Sequence, residues 1–137
     1  MLALFCDGLC SPNPGFGTWA WLALDADGHE VAHGTGVQPD TTNNVMEHRA
    51  VLEALMWLQE HGHREATLAT DSQLVVHQVA GRWACHAEHL VEMVALEHAL
   101  VYLTRTWVYW VRRGDNTRAD ALTRIAYQAA CGSAPRD

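Results

Sequence analysis

Four acidic residues stand where a carboxylate is costly. Asp7 ends the apolar run Leu2-Ala-Leu-Phe-Cys. Strand alternation puts Ala3, Phe5 and Asp7 on one face and Leu2, Leu4 and Cys6 on the other. Both faces are apolar, so the strand reads as covered on both sides, and a carboxylate there protonates or finds a cation. Capping of the turn that runs from Gly8 to Gly15 is an equal alternative. Glu47 lies three and four residues before Ala50 and Val51, which begin an apolar stripe continued by Ala54, Leu55 and Leu58. It therefore falls on the core-facing side of a first helical turn, unless it faces solvent or forms a capping box with Asn44. Asp71 sits where an apolar strand hands over to a helix, the end of an open α/β sheet at which sites collect, or else it is an N-cap. Asp120 flanks Ala119, Leu122 and Ala126 and is the least telling of the four. Carboxylates gathered in this way raise one another's pKa unless cations intervene. Oxygen-only ligands favour a hard ion, Mg²⁺ or Mn²⁺. Two such ions about 4 Å apart suit in-line attack on a phosphodiester, one activating water and the other steadying the leaving oxygen.

The elements that must position these groups follow from periodicity. Strands are expected over residues 2–7, 16–26, 30–37, 66–70 and 106–111, with Asp27-Gly28 as a two-residue hairpin turn. The stretch Gln38-Pro-Asp-Thr-Thr42 should break the third strand. Helices are expected over 45–60, capped by Thr42, Asn43 or Asn44 and ended by Gly62, and over 73–80, 87–103 and 117–130. Leu90, Val94, Glu97 and Val101 share one face of the third helix, and Asn116 is placed to cap the last. The order β-β-β-α-β-α-α-β-α predicts an α/β fold with a mixed five-stranded sheet and helices on both faces. One domain should fill residues 1–131, with 132–137 a disordered tail.

Composition narrows the class. At 137 residues, 49% hydrophobic and 18% charged, the chain reads as an ordinary soluble domain. No apolar run reaches the roughly 18 residues that span a bilayer, and a cytoplasmic location is the expectation. The four cysteines share no metal-binding spacing and read as reduced thiols. His86, His89 and His98 read as exposed helix positions rather than as metal ligands. The net charge of −7 argues against a nucleic-acid partner, and all nine basic residues are arginine.

Against that charge stands a set of fragments. Asp7-Gly8 with Asn13-Pro14-Gly15, Thr41-Thr-Asn-Asn44 with Glu47, Asp71-Ser72-Gln73, and Asn116 with Ala119-Asp120-Ala-Leu122 together resemble the ribonuclease HI family, in its order and spacing. The resemblance runs from Leu2 to about Ala129. It implies an RNase H-like fold, with Asp7, Glu47, Asp71 and Asp120 as catalytic, metal-binding carboxylates. It also implies two-metal hydrolysis of the RNA strand of an RNA–DNA hybrid, giving 5′-phosphate and 3′-hydroxyl ends. By the same resemblance Asn13, Asn43, Asn44 and Gln73 contact the hybrid and Trp83 lies beside its DNA strand. Arg113 and Asn116 complete the expected substrate-binding set, and no obligate protein partner is evident.

The sequence departs from that pattern twice. The family's lysine-rich insertion is replaced by Gly81-Arg-Trp-Ala-Cys-His86, and the loop histidine or glutamate before the last helix by Arg113-Gly-Asp115. It reads as a compact form without the insertion or a hybrid-binding domain, in which either Asp115 or Arg113 takes the loop residue's part or the step runs without assistance. Arg82, Arg112, Arg113 and Arg118 are the cations expected nearest the substrate. A non-catalytic hybrid-binding module and a DNA-directed nuclease of the same fold are the alternative readings.

Overall fold

The computed structural model describes residues 1–136. Five strands form one sheet: β1 (Ala3–Cys10), β2 (Gly15–Leu24), β3 (Glu30–Thr41), β4 (Thr67–Thr70) and β5 (Trp107–Trp110). Their order is β3-β2-β1-β4-β5. The first three pair antiparallel as a meander, while β4 and β5 add parallel to β1. The helices are α1 (Asn43–Glu60), α2 (Gln73–Val79), α3 (Glu88–Thr104) and α4 (Thr117–Cys131), with a 3₁₀ turn at Arg113–Asp115. This is the mixed five-stranded architecture expected from the sequence.

The main core lies between the sheet and α1. Leu4 and Cys6 of β1, Leu68 of β4 and the predicted α1 stripe from Ala50 to Leu58 are all fully buried. Alternation gives the other face of β1 to Phe5 and Asp7. There α4 crosses the meander, tied by Thr18 Oγ1 donating to the Thr123 carbonyl at 3.0 Å and by Tyr127 packed edge-on against Phe16.

Two elements differ from expectation. The hairpin carries a three-residue loop, because the Asp25 carboxylate accepts the Asp27 and His29 amides at 2.9 Å and Gly28 takes a positive φ of 81°. Strand β3 continues through Pro39 and Asp40 to Thr41. It is an edge strand, where a missing proline donor costs the ladder nothing. Residues 132–136, expected to be disordered, carry no helix or strand, and Arg136 shares two hydrogen bonds with Ser11. Asp137 lies outside the described residues.

The core also holds a polar cluster. His48 and Glu97 are both 0% exposed, and His48 Nδ1 meets the two Glu97 oxygens at 3.0 and 3.1 Å. His48 Nε2 meets Gln78 Oε1 at 2.8 Å. Both ring nitrogens face acceptors, so the ring carries two protons and Glu97 is its counter-ion. Burial works to lower the His48 pKa, but the hydrogen bond and charge of Glu97 outweigh it and hold the imidazole above its ordinary value. The cluster joins α1, α2 and α3 through atoms that have no access to water.

Removing one partner leaves the other's charge stranded. His48→Ala should therefore cost about 3–5 kcal/mol in urea unfolding. The double change His48→Leu/Glu97→Met should recover most of that loss, because no buried charge remains. Equal destabilisation by the single and the double variant would mean that packing, not charge, carries the cluster.

Candidate active site

Pairing of β1 with β4 creates the site. The parallel register sets Cys6 opposite Thr70, so Asp7 and Asp71, one residue on, emerge side by side. Glu47 joins them because of Gly8. A Cβ on Gly8 would run into the backbone of Met46 and Glu47, so only glycine lets the first turn of α1 lie against β1 here. Thr42 caps that turn, its Oγ1 accepting the Val45 amide at 3.2 Å. The alternatives open in the sequence close accordingly. Thr42 rather than Asn44 caps α1, and Ser72 rather than Asp71 caps α2, with Ser72 Oγ accepting the Val75 amide at 3.2 Å. Neither Glu47 nor Asp71 is consumed as a cap.

Carboxylate oxygens of Asp7, Glu47 and Asp71 lie within 4.8 Å of one another. Asp120 borders the same cleft, which encloses about 1070 Å³. Its carboxylate is held by Arg124 Nε at 3.1 Å, one helical turn on. Asp7 is 5% exposed. Burial first, and then the charges of Glu47, Asp71 and Asp120, push its pKa up to about 9. Burial and Asp71 push Glu47 up to about 8, against the opposing charge of Arg113. Burial also raises Asp71, opposed by a hydrogen bond from Asn116 and by Arg113. Glu47 Oε2 is buried with no hydrogen-bond partner. An orphaned anionic oxygen among two further carboxylates, with no thiolate or imidazole beside them, fits a hard divalent cation.

The remaining expected residues divide. Asn43 Oδ1 accepts the Cys10 amide at 2.7 Å, and Asn13 Oδ1 accepts the Asn43 amide at 3.1 Å. The carbonyl end of each amide is thus held by backbone, and both residues line the cleft. Arg113 lines the cleft too, whereas Asn44, Gln73 and Trp83 do not. Trp83 is 47% exposed and stacks on His77 with ring centroids 4.0 Å apart.

Asn116 is 1% exposed, and its Nδ2 donates to the Cys6 carbonyl at 2.8 Å and reaches Asp71 Oδ2 at 3.5 Å. It makes no cap bond to α4. Its side chain thus links β1 to Asp71 at the edge of the acidic cluster.

The cations also need correction. Arg82 donates to His77, Arg112 pairs with Asp115 and Arg118 with Glu30. Of the four arginines expected near substrate only Arg113 borders the cleft, and Asp115 does not. Arg124 and Arg136 border it instead. The position of Arg124 four residues after Asp120 is a readable helical signal; that of Arg136 has none.

The acidic cluster lies where β1 and β4 run side by side in parallel in a mixed α/β sheet, and comparison with known proteins gives its family. A family model described as reverse transcriptase-like matches residues 5–126. A Mycobacterium tuberculosis protein described as bifunctional is 35% identical over 96% of this chain, and the chain spans 36% of its length. The structure of that protein's N-terminal RNase H domain superposes with a TM-score of 0.87 at 32% identity, covering 96% of each chain. A ribonuclease H of Geotalea uraniireducens is 34% identical over 96% of this chain and 97% of its own. A structure of LC11-RNase H1 in complex with an RNA/DNA hybrid has a TM-score of 0.86 at 26% identity, over 95% of this chain and 99% of that one. The chain belongs to the ribonuclease H family.

The raised pKa values set how stability depends on pH. Asp7 and Glu47 hold protons more tightly folded than unfolded, where their values lie near 4. The stabilisation from that proton binding is present in full below about pH 4 and is lost as pH rises through about 8 and 9. In chelator the protein should melt at progressively lower temperature from about pH 6 to pH 9, and Asp7→Asn should flatten that fall. Mg²⁺ should raise the melting temperature most at the alkaline end. A melting temperature that climbs with pH in chelator would contradict the burial of protonated carboxylates.

Proposed function

We propose that this chain is an endonuclease that hydrolyses the RNA strand of RNA–DNA hybrids at a two-metal centre, leaving 5′-phosphate and 3′-hydroxyl ends. The observation that carries the proposal is the cluster of buried Asp7 with half-buried Glu47 and Asp71, and the orphaned Glu47 oxygen within it. Family membership supports it, as does a relative of the same fold solved with a hybrid. Asp7, Glu47, Asp71 and Asp120 would hold the ions, Mg²⁺ in the first instance with Mn²⁺ as a substitute. When bound, such ions lower the pKa of the attacking water and neutralise charge on the leaving oxygen.

The chain's own residues do the rest. Asn116 keeps Asp71 in register with β1, and Arg124 holds Asp120 in its place on the first turn of α4. Arg113 is the cation whose field reaches Glu47 and Asp71, and it is placed to meet the negative charge of the scissile phosphate. Asn13 in the β1–β2 connection and Asn43 at the start of α1 are braced against each other, and their amides would suit the 2′-hydroxyls in the shallow minor groove of a hybrid. Asn44, Gln73 and Trp83 would act farther along the duplex, outside the cleft. No helix among the described residues is long and apolar enough to cross a membrane. The four cysteines are free, which supports a reducing, cytoplasmic setting as part of the proposal.

Matched hybrid, double-stranded RNA, double-stranded DNA and single-stranded RNA, each with and without Mg²⁺, test the reading. Only the hybrid should be cut, and only with the ion. Asp71→Asn should lower the rate at least about a hundredfold, and Asp120→Asn less. Equal cutting of double-stranded DNA, or full activity in excess chelator, overturns it.

A further inference from the structure

The last described residues, Ser133, Ala134 and Arg136 among them, border the cleft. Gly132 ends α4 with a positive φ of 76°, and the backbone that follows turns toward the β1–β2 connection. There Ser11 clasps it. The Ser11 hydroxyl donates to the Arg136 carbonyl and accepts the Arg136 amide, both at 2.9 Å. Ser11 itself is 3% exposed, and its carbonyl accepts the Tyr127 hydroxyl at 2.7 Å. Every polar group of this serine is used, because its amide also donates to the Phe16 carbonyl at 2.9 Å. The clasp is therefore built on a buried, fully bonded anchor, not on a surface residue.

Ser133, Ala134 and Arg136 line the same cleft as Asp7, Glu47 and Asp71. Three arginines border that cleft. Arg124 is engaged by Asp120, and Arg113 faces Glu47 and Asp71. Arg136 makes no ion pair among the described residues. Asn13, which lines the cleft, belongs to the same β1–β2 connection as Ser11, two residues on. A strand that passes Asn13 on its way to the carboxylates passes the clasped segment too.

We infer that residues 133–136 form one wall of the nucleic-acid cleft and that Arg136 binds a backbone phosphate flanking the scissile one. The inference rests on the hybrid-cleaving function proposed above. Phosphate binding requires cations, and a chain of net charge −7 without lysine has few to offer near its site. A guanidinium held by a backbone clasp presents its fork with less loss of freedom than one on a free end.

The test is to titrate a hybrid in Ca²⁺ at several salt concentrations, and to measure kcat and KM in Mg²⁺. The proteins compared are wild type, Arg136→Gln, Arg136→Lys, Ser11→Ala and the double variant Ser11→Ala/Arg136→Gln. Arg136→Gln should weaken binding about three- to fivefold, as for an exposed ion pair, with the loss in KM and not in kcat. The salt slope should become shallower by about 0.7–0.9, one phosphate's worth, and Arg136→Lys should restore it. Ser11→Ala should reproduce the loss by releasing the segment, and the double variant should add nothing further. Wild-type affinity and slope in Arg136→Gln overturn the inference, and so does tighter binding, which would make the segment an obstruction. A wild type that neither binds nor cuts hybrid removes the proposed function and this inference together. Wild-type activity with an indifferent Arg136→Gln removes only the inference.

Discussion

Mutual repulsion among buried carboxylates is the constraint to which the rest of the structure answers. Two unit charges 4 Å apart repel by about 4 kcal/mol at an effective dielectric of about 20. A domain of this size has a total stability of about 5–15 kcal/mol. Full ionisation of Asp7, Glu47 and Asp71 without a cation would consume much of that, so the three persist together by keeping protons or by taking up ions. What holds them is rigid. The β1–β4 register, the bare backbone of Gly8 and the Asn116 bridge leave no side-chain slack by which they could part. Stability is supplied elsewhere, chiefly by the apolar seam under α1.

The two buried polar clusters show opposite solutions to the same cost. His48 and Glu97 are cation and anion, their lone pairs and protons matched within α1, α2 and α3. The acidic cluster contains carboxyl groups only, without a cationic partner of its own, and leaves Glu47 Oε2 with no hydrogen bond. They meet at adjacent positions of α1, Glu47 and His48, so the helix that presents the unmatched charge is pinned by the matched one. On the proposed function a substrate would meet the same imbalance from outside. A phosphate backbone approaching an acidic cleft needs positive charge, and ions that neutralised the carboxylates would supply it locally, along with the arginines on the rim.

Much of this was legible in the sequence, and the losses have a common cause. Asp7, Glu47 and Asp71 betray themselves because each interrupts an apolar pattern, and pattern is local. Glu97 interrupts one too, on the stripe of Leu90 and Val94, but its partner His48 lies 49 residues away and no spacing links them. The competing cap readings turned on distinctions of one or two residues: Ser72 beside Asp71 caps α2, and Thr42, two residues before Asn44, caps α1. The hairpin loop is longer than Asp27-Gly28 suggests because Asp25, two residues earlier, folds its carboxylate over the turn. Asn116 has a helix-capping residue's position but spends its side chain on β1, a contact across 110 residues. The clasp at Ser11 spans 125 residues and is invisible for the same reason.

The most direct test of the central claim is proton release on metal binding, by titration calorimetry in buffers of different ionisation enthalpy near pH 7. With Asp7 and Glu47 held up to about 9 and 8, both carry protons at that pH before the ions enter. Saturation with Mg²⁺ should then release about two protons per chain, and release should fall away above about pH 9. A binding enthalpy that is the same in every buffer would mean that the carboxylates are already ionised, and that their burial does not govern the site.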